Sequence, residues 1–397
     1  MVAIFAVVGI SSVLVWNGVA SRKAREQQGA QSSSSQVVEK EDPKAQSLDR
    51  AKKVVDGLTL EQKVAQLFVV RPEALTNVDA VTEAGSTTRE AIADYPVGGF
   101  LYSSKNIIDE KQVKSLLKNT QNYVKDASGL PAFMCIEEEG GTQAPLAKAY
   151  AGVKEVSNAA GIGASNSAEE ARDAARQIGG DLRSLGFNLN LAPVADIVSS
   201  VDSDLSERSF GEDPQKVATM VEAQIDGYSR AGIACAAKHF PGSGEAQKDP
   251  HNDRFYSHRK EDELAQRETI PFAKAVEANV PAMVVSNMSC LEIGNGEGDV
   301  PAWMSKTIVQ GMLRDDMGFD GVAMTDLLDE KSVSYACDVS EQGVRALQAG
   351  MDLVVCPKSF ERAYMGILSA VEDGEITEDR INESVLRIVM LKQSLTD

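Results

Sequence analysis

The sequence predicts an α/β fold, a single (β/α)8 barrel of the TIM type that follows an N-terminal apolar segment and a tether. Three observations lead there. Eight short apolar runs with β-branched residues recur between positions 64 and 357, longer helical patterns separate them, and polar residues collect at the C-terminal ends of several runs. Strands that alternate with helices pair in parallel through crossovers, and a barrel of such units takes roughly 250 residues, more with insertions. A doubly wound open sheet is the competing arrangement, but no GxGxxG follows the first run.

Taken in order, the runs are "VAQLFVV" (64–70), "GGFLYS" (98–103), "AFMCIEE" (132–138) and "NLNLAPVAD" (188–196), then "IACAAKHF" (233–240), "AMVVSNM" (282–288), "GVAMTD" (321–326) and "MDLVVCP" (351–357). No linker interrupts them, so residues 46–397 read as one domain. Before it, residues 22–45 are rich in Gln, Ser and charge, which describes a solvated tether. Residues 1–21 read as an export signal or membrane anchor, because positions 2–20 carry no charge and "SRKAR" follows at once. Nineteen residues suffice to span a bilayer, which favours an uncleaved anchor, whereas Gly18 and Ala20 offer a small-x-small cleavage pattern. The expected location is extracytoplasmic, anchored or secreted.

Composition narrows the function. Hydrophobic residues make up 43% and charged residues 25%, enough apolar material for a full core. The net charge is −19 and residues 1–45 carry five basic against four acidic side chains, so the folded part carries −20; phosphate backbones are repelled and nucleic acid is not an expected partner. Five scattered cysteines without a CxxC pair read as mostly buried thiols rather than a zinc site or a disulfide framework.

In a barrel of this kind the C-terminal strand ends carry the chemistry. Here the third run ends in Glu137, Glu138 and Glu139, the fourth in Asp196, the fifth in "KHFPG" and the seventh in Asp326. Carboxylates, a lysine, an arginine and histidines around one mouth suit acid/base chemistry on a polyhydroxylated ligand such as a sugar. Glycoside cleavage needs a carboxylate at the anomeric centre, for which Asp326 is the candidate, and a proton donor. Asp249 and His251 in "DPH" stand two apart, so the carboxylate can orient the imidazole and favour its protonated form. The alternative is a loop histidine beside a turn-forming Asp-Pro. Arg208 in "SERSFGEDP" can clamp a ligand oxygen or form a surface ion pair. Lys238 is costly to bury without a partner, and beside it His239 is either a core histidine or a pocket residue. Gly242 and Gly244 allow the chain to depart from the strand there.

Several stretches together resemble the family 3 glycoside hydrolases, specifically their β-N-acetylhexosaminidase branch. The carriers are "GGFLYSSKNI", "IEEEGG", "LGFNLNLAPVADI", "ERSFGEDP", "KHFPGSGEAQKDPH", "LRDDMGFDGVAMTD" and "ALQAGMDLVV", in the family's order over roughly residues 50–395. The resemblance implies a retaining, double-displacement hydrolase that needs no metal or cofactor. Asp326 matches the family's nucleophile, His251 the acid/base of this branch and Asp249 its dyad partner. Arg208, Lys238 and His239 match residues that hold sugar hydroxyls, and Glu137 stands where the family usually has a substrate-binding aspartate. "TQAPL" replaces the segment in which the family has an arginine. The implied partner is a glycan or muropeptide containing N-acetylglucosamine. A glycosidase or phosphorylase of other specificity and a glycan-binding barrel without turnover are the competing readings.

Overall fold

All eight expected runs supply strands to one parallel barrel. In the computed structural model, which describes residues 43–200, 203, 205–248, 254–293, 297 and 299–396, they are β1 Phe68–Val70, β2 Gly99–Leu101, β3 Phe133–Ile136, β4 Leu189–Asn190, β5 Ala234–Phe240, β6 Ala282–Val285, β7 Val322–Thr325 and β8 Val354–Val355. Each strand pairs in parallel with its neighbour in sequence, and β8 returns to β1 through Phe68↔Val354 and Val69↔Val355. Between β7 and β8 the contact narrows to the Met324↔Leu353 bridge, reinforced by the Asp352 and Leu353 amides, both donating to the Ala323 carbonyl at 2.8 and 3.0 Å.

Strand limits differ from the sequence expectation where local chemistry intervenes. Val64, Ala65 and Gln66 are helical, not extended: Thr59 and Gln62 cap each other's amides at 3.3 and 3.1 Å and start the helix Leu60–Gln66. Both a buried helix end and a buried strand are apolar, so the run alone does not separate them. The fourth run pairs as a strand only at Leu189–Asn190, because Pro193 has no N–H to offer, although Val194 still bridges Lys238. A second sheet of three short strands was not anticipated. Gln247–Lys248 pairs antiparallel with Phe255–Ser257, which lies parallel to Ser289–Cys290.

Helices on the outside begin and end on their own sequence signals. Asp109, Ser167, Asp213, Asp338 and Thr377 accept backbone amides at five N-termini, and Gly129, Gly186, Gly232 and Gly350 close four C-termini in the left-handed region. Four cysteines are buried, Cys337 is half-buried, and all five are free thiols. Among the described residues no helix is long and apolar enough to cross a membrane; the apolar run 2–20 lies outside them, as does most of the expected tether.

Where the strands begin, a buried carboxylate ties the barrel to its last helix. Asp352, fully buried, accepts Arg314 Nη2 at 2.6 Å and the Ala323 amide at 3.0 Å on Oδ2. Its Oδ1 accepts Ser384 Oγ at 2.7 Å and Arg387 Nη1 at 3.0 Å from the helix Glu378–Ser394. Asp352→Ala would strand Arg314 without its counter-charge, and urea unfolding should show a loss of about 3 to 5 kcal/mol with an unchanged m-value.

Candidate active site

At the opposite end, where the strands finish, lies a cavity of about 520 Å³. Its wall includes Glu137 from the end of β3, Arg208, His239 from β5, Ser286 and Asn287 following β6, and Asp326 and Glu330 following β7. The sequence-predicted Glu137, Arg208, His239 and Asp326 therefore converge. Lys238 stands behind that wall, 1% exposed, with its ammonium 2.9 Å from Glu137 Oε1 and 2.7 Å from Glu139 Oε1. The Lys238–His239 peptide is cis, and both side chains serve this end of the barrel.

Arg208 is not on a surface ion pair. Its Nε and Nη2 grip the two oxygens of Glu139 at 2.8 and 2.7 Å, a bidentate fork that fixes the guanidinium plane. Burial pushes the Glu139 carboxyl up, but Lys238 and Arg208 more than offset it and hold the group at about 2. For Glu137 burial is likewise opposed by Lys238, which leaves it below the usual carboxylate range. Lys238 itself, pulled down by burial, is raised on balance by Glu137 and Glu139. All four groups stay charged, and the quartet is neutral as a whole. Glu138 faces elsewhere: it accepts the Leu146 and Ala147 amides at 2.7 and 3.2 Å, and burial raises it to about 7.

His239 is tied to Asp196. Its Nδ1 lies 2.7 Å from the fully buried Asp196 Oδ2, whose partner oxygen accepts the Ser243 amide at 2.6 Å. With Nδ1 engaged, Nε2 is the ring nitrogen left for the cavity. Burial lowers the imidazole pKa, Asp196 and Asp326 raise it, and the net direction is up.

Asp326 Oδ1 accepts the Leu327 amide at 2.9 Å, while among the described residues Oδ2 has only the Asn287 amide at a long 3.4 Å. Asn287 is itself locked: Trp303 Nε1 donates to its Oδ1 at 3.0 Å, and its Nδ2 donates to the Leu327 carbonyl at 2.9 Å and Glu330 Oε2 at 3.2 Å. Burial and the Asp326 charge push Glu330 up. On the outer side Arg71 holds Asp329 at 2.6 Å, so the loop after β7 is pinned at both flanks.

After β5 the chain turns sharply. Gly242 has φ +124°, and a Cβ at Gly244 would stand 1.9 Å from the Ile197 carbonyl oxygen, so neither position accepts a side chain without movement. Ser243 Oγ reaches Ser286 Oγ at 2.6 Å. Asp249 and His251 lie outside the described residues. The strands that flank them do not: Lys248 and Phe255 pair across the hairpin and both line the cavity.

The sequence points to Glu137, Arg208, His239 and Asp326 on the wall and to Lys238 behind it, but not to the pairings that hold them. Asp196 and Glu139 were visible as strand-end carboxylates, without a clue to which cation each takes. Asn287 and Glu330 were passed over, the first hidden in an apolar run and the second four residues beyond Asp326.

The profile of the Glycosyl hydrolase family 3 N terminal domain matches residues 59–391. The chain is 29% identical over 339 residues to Beta-hexosaminidase A of Pseudoalteromonas piscicida, covering 80% of this chain and 56% of that protein, so it spans little more than half of that relative. Among solved structures, a glycoside hydrolase family 3 beta-N-acetylglucosaminidase from Paenibacillus sp. str. FPU-7 superposes with a TM-score of 0.78 at 32% identity, over 86% of this chain and 63% of that one. LpqI of M tuberculosis superposes with a TM-score of 0.73 at 27% identity, over 86% of this chain and 96% of that one.

Beneath the turn lies Glu268, 1% exposed, its Cβ 2.8 Å from where a Gly242 Cβ would stand. Among the described residues neither carboxyl oxygen has a hydrogen-bond partner, and Arg259 and Arg267 approach only to 3.5 and 3.9 Å. Burial raises the group to about 7 against the two arginines, with Glu245 and Asp196 adding to the rise. The folded value exceeds the ordinary 4.5, so the folded chain holds a proton that the unfolded chain releases, and this contribution to stability is lost as pH rises from 4.5 through about 7. Glu268→Gln should therefore gain melting temperature over the parent progressively from pH 5 to pH 8; parallel melting curves would refute this.

Proposed function

The chain belongs to glycoside hydrolase family 3, and on that premise we propose that it is a retaining β-N-acetylhexosaminidase that releases terminal β-linked N-acetylglucosamine with water as second substrate. One observation carries the reading: Asp326, with one carboxyl oxygen weakly engaged among the described residues, lines the same cavity as Arg208, Glu137, His239, Lys248 and Phe255, and Asp249 and His251 stand between the last two in the sequence. The names of the similar proteins support the sugar.

In this reading Asp326 Oδ2 bonds to the anomeric carbon, since Oδ1 is engaged by the Leu327 amide. The glycosidic carbon–oxygen bond breaks, its electron pair stays on the leaving oxygen, and that oxygen takes the proton of the His251 imidazolium, which Asp249 orients. Water then gives a proton to His251 and attacks the anomeric carbon, which frees Asp326. Arg208, His239 and Glu137 hold the sugar hydroxyls, while Lys238 keeps Glu137 ionised and in place.

The apolar run 2–20 supports an extracytoplasmic location, anchored or secreted. In that compartment the substrate class is wall-derived glycan fragments, muropeptides among them. Side-by-side release of nitrophenol from the β-N-acetylglucosaminide and the β-glucoside tests the function. Preference for the acetylated sugar is expected, with kcat lower on the order of a thousandfold or more in Asp326→Ala. In kcat/KM, which reports the first step, His251→Ala should lose about 10²- to 10⁴-fold on poor leaving groups and little on nitrophenol; equal kcat/KM losses on both would remove it as the acid. Yields of free N-acetylglucosamine should not depend on phosphate, and accumulation of a sugar phosphate would mark a phosphorylase.

A further inference from the structure

At the end of the barrel where the strands begin, remote from Asp326, a pocket of about 250 Å³ gathers Lys306, Arg314, Arg380 and Arg387, with Glu383 the only acidic side chain on its wall. Even counting Asp352 behind it, four cations face two carboxylates in a chain whose net charge is −19. Burying like charges together costs free energy unless something compensates them.

Hydrogen bonding sorts these cations. Arg314 donates Nη1 to the Phe319 and Gly321 carbonyls and Nη2 to Asp352. Arg380 spends its three nitrogens on the Leu347 carbonyl, Ser384 Oγ and the Met351 carbonyl, and Glu383 comes only to 4.0 Å. Arg387 binds Asp352 through Nη1 alone, so its Nε and Nη2 are available, and among the described residues the exposed Lys306 ammonium has no partner. Burial pulls Arg314 and Arg380 below the ordinary arginine value, with the Arg387 charge adding to the depression and Asp352 opposing it. Three of the four cations are thus guanidinium groups placed by the fold, and the fourth is the exposed ammonium of Lys306.

We propose that this pocket binds a phosphate-type oxyanion, an inorganic phosphate or a phosphomonoester or phosphodiester group. The one negative charge of a phosphodiester, or the nearly two of a phosphomonoester or inorganic phosphate, is offset by the surplus of cations, and a tetrahedral oxyanion matches the fork of Arg387. The volume exceeds several times the roughly 30 Å³ that one water occupies in the liquid, so the anion fits with an attached group. The site is independent of catalysis: Gly321 and Asp352 precede β7 and β8, whereas Asp326 follows β7.

Thermal melts and titration calorimetry with sodium phosphate, against sodium chloride of equal ionic strength, test the site on the whole protein. Millimolar phosphate should raise Tm by about 2 to 4 °C. Lys306→Glu changes an exposed, unpartnered side chain and leaves folding and turnover intact; it should weaken phosphate binding by about tenfold or more. Arg387→Gln should weaken it as well, and Asp326→Ala should leave it unchanged. Sedimentation with phosphatidylglycerol and phosphatidylcholine vesicles separates the sources. Retention on the anionic vesicles that Lys306→Glu abolishes identifies a lipid headgroup, and a phosphate effect without retention identifies a soluble anion; both sustain the site. No effect beyond chloride, equal binding by Lys306→Glu, or loss of binding only in Asp326→Ala would overturn it.

Discussion

A lysine ammonium placed under a barrel mouth at 1% exposure must be neutralised, and the arrangement of the site follows from how Lys238 meets that demand. It takes two carboxylates, Glu137 and Glu139, which leaves one negative charge over, and Arg208 supplies the missing positive charge through a bidentate grip on Glu139. Removing any member leaves a buried charge unpaired. The ends of β3 and β5 and the loop carrying Arg208 are therefore fixed to one another by electrostatics. Glu137, the more exposed of the two acids, reaches the cavity together with Arg208.

A second pair works on the same logic. Asp196 is fully buried, divides its two oxygens between His239 and the Ser243 amide, and so couples the imidazole to the turn after β5. That turn passes over Ile197 with no room for a side chain at Gly244 and then enters the hairpin whose strands border the cavity. Opposite, Asn287 binds the Leu327 carbonyl and Glu330 and so sets the backbone on which Asp326 sits. Glu137, His239 and Asp326 thus stand at strand ends and Arg208 on a loop, all held by hydrogen bonds or ion pairs to their neighbours.

The two barrel ends treat charge differently. At the mouth the cations and anions balance within the Lys238 quartet, whereas at the other end Asp352 balances only part of the arginine cluster around it. Asp352 still does structural work, since it joins β7, β8 and the C-terminal helix through four hydrogen bonds.

The order and number of strands were legible in the sequence because a parallel strand buried on both faces needs a short apolar run and a crossover, and eight such runs are present. Helix limits coincide with local signals that the structure shows in use, the Asp, Ser and Thr caps and the closing glycines. Glu137, Arg208, Lys238, His239 and Asp326 were legible as strand-end or loop groups of one mouth. The helical start of the first run and the shortness of β4 escaped, since apolarity does not distinguish helix from strand and Pro193 acts only where a partner strand asks for its amide. Which carboxylate meets which cation was decided by tertiary structure alone: Glu139 with Arg208 and Lys238, Asp196 with His239, Asp352 with Arg314 and Arg387. Those pairings join residues 35 to 99 positions apart, and an interaction that falls off over a few ångströms has no trace in the sequence until the barrel closes and brings its ends together.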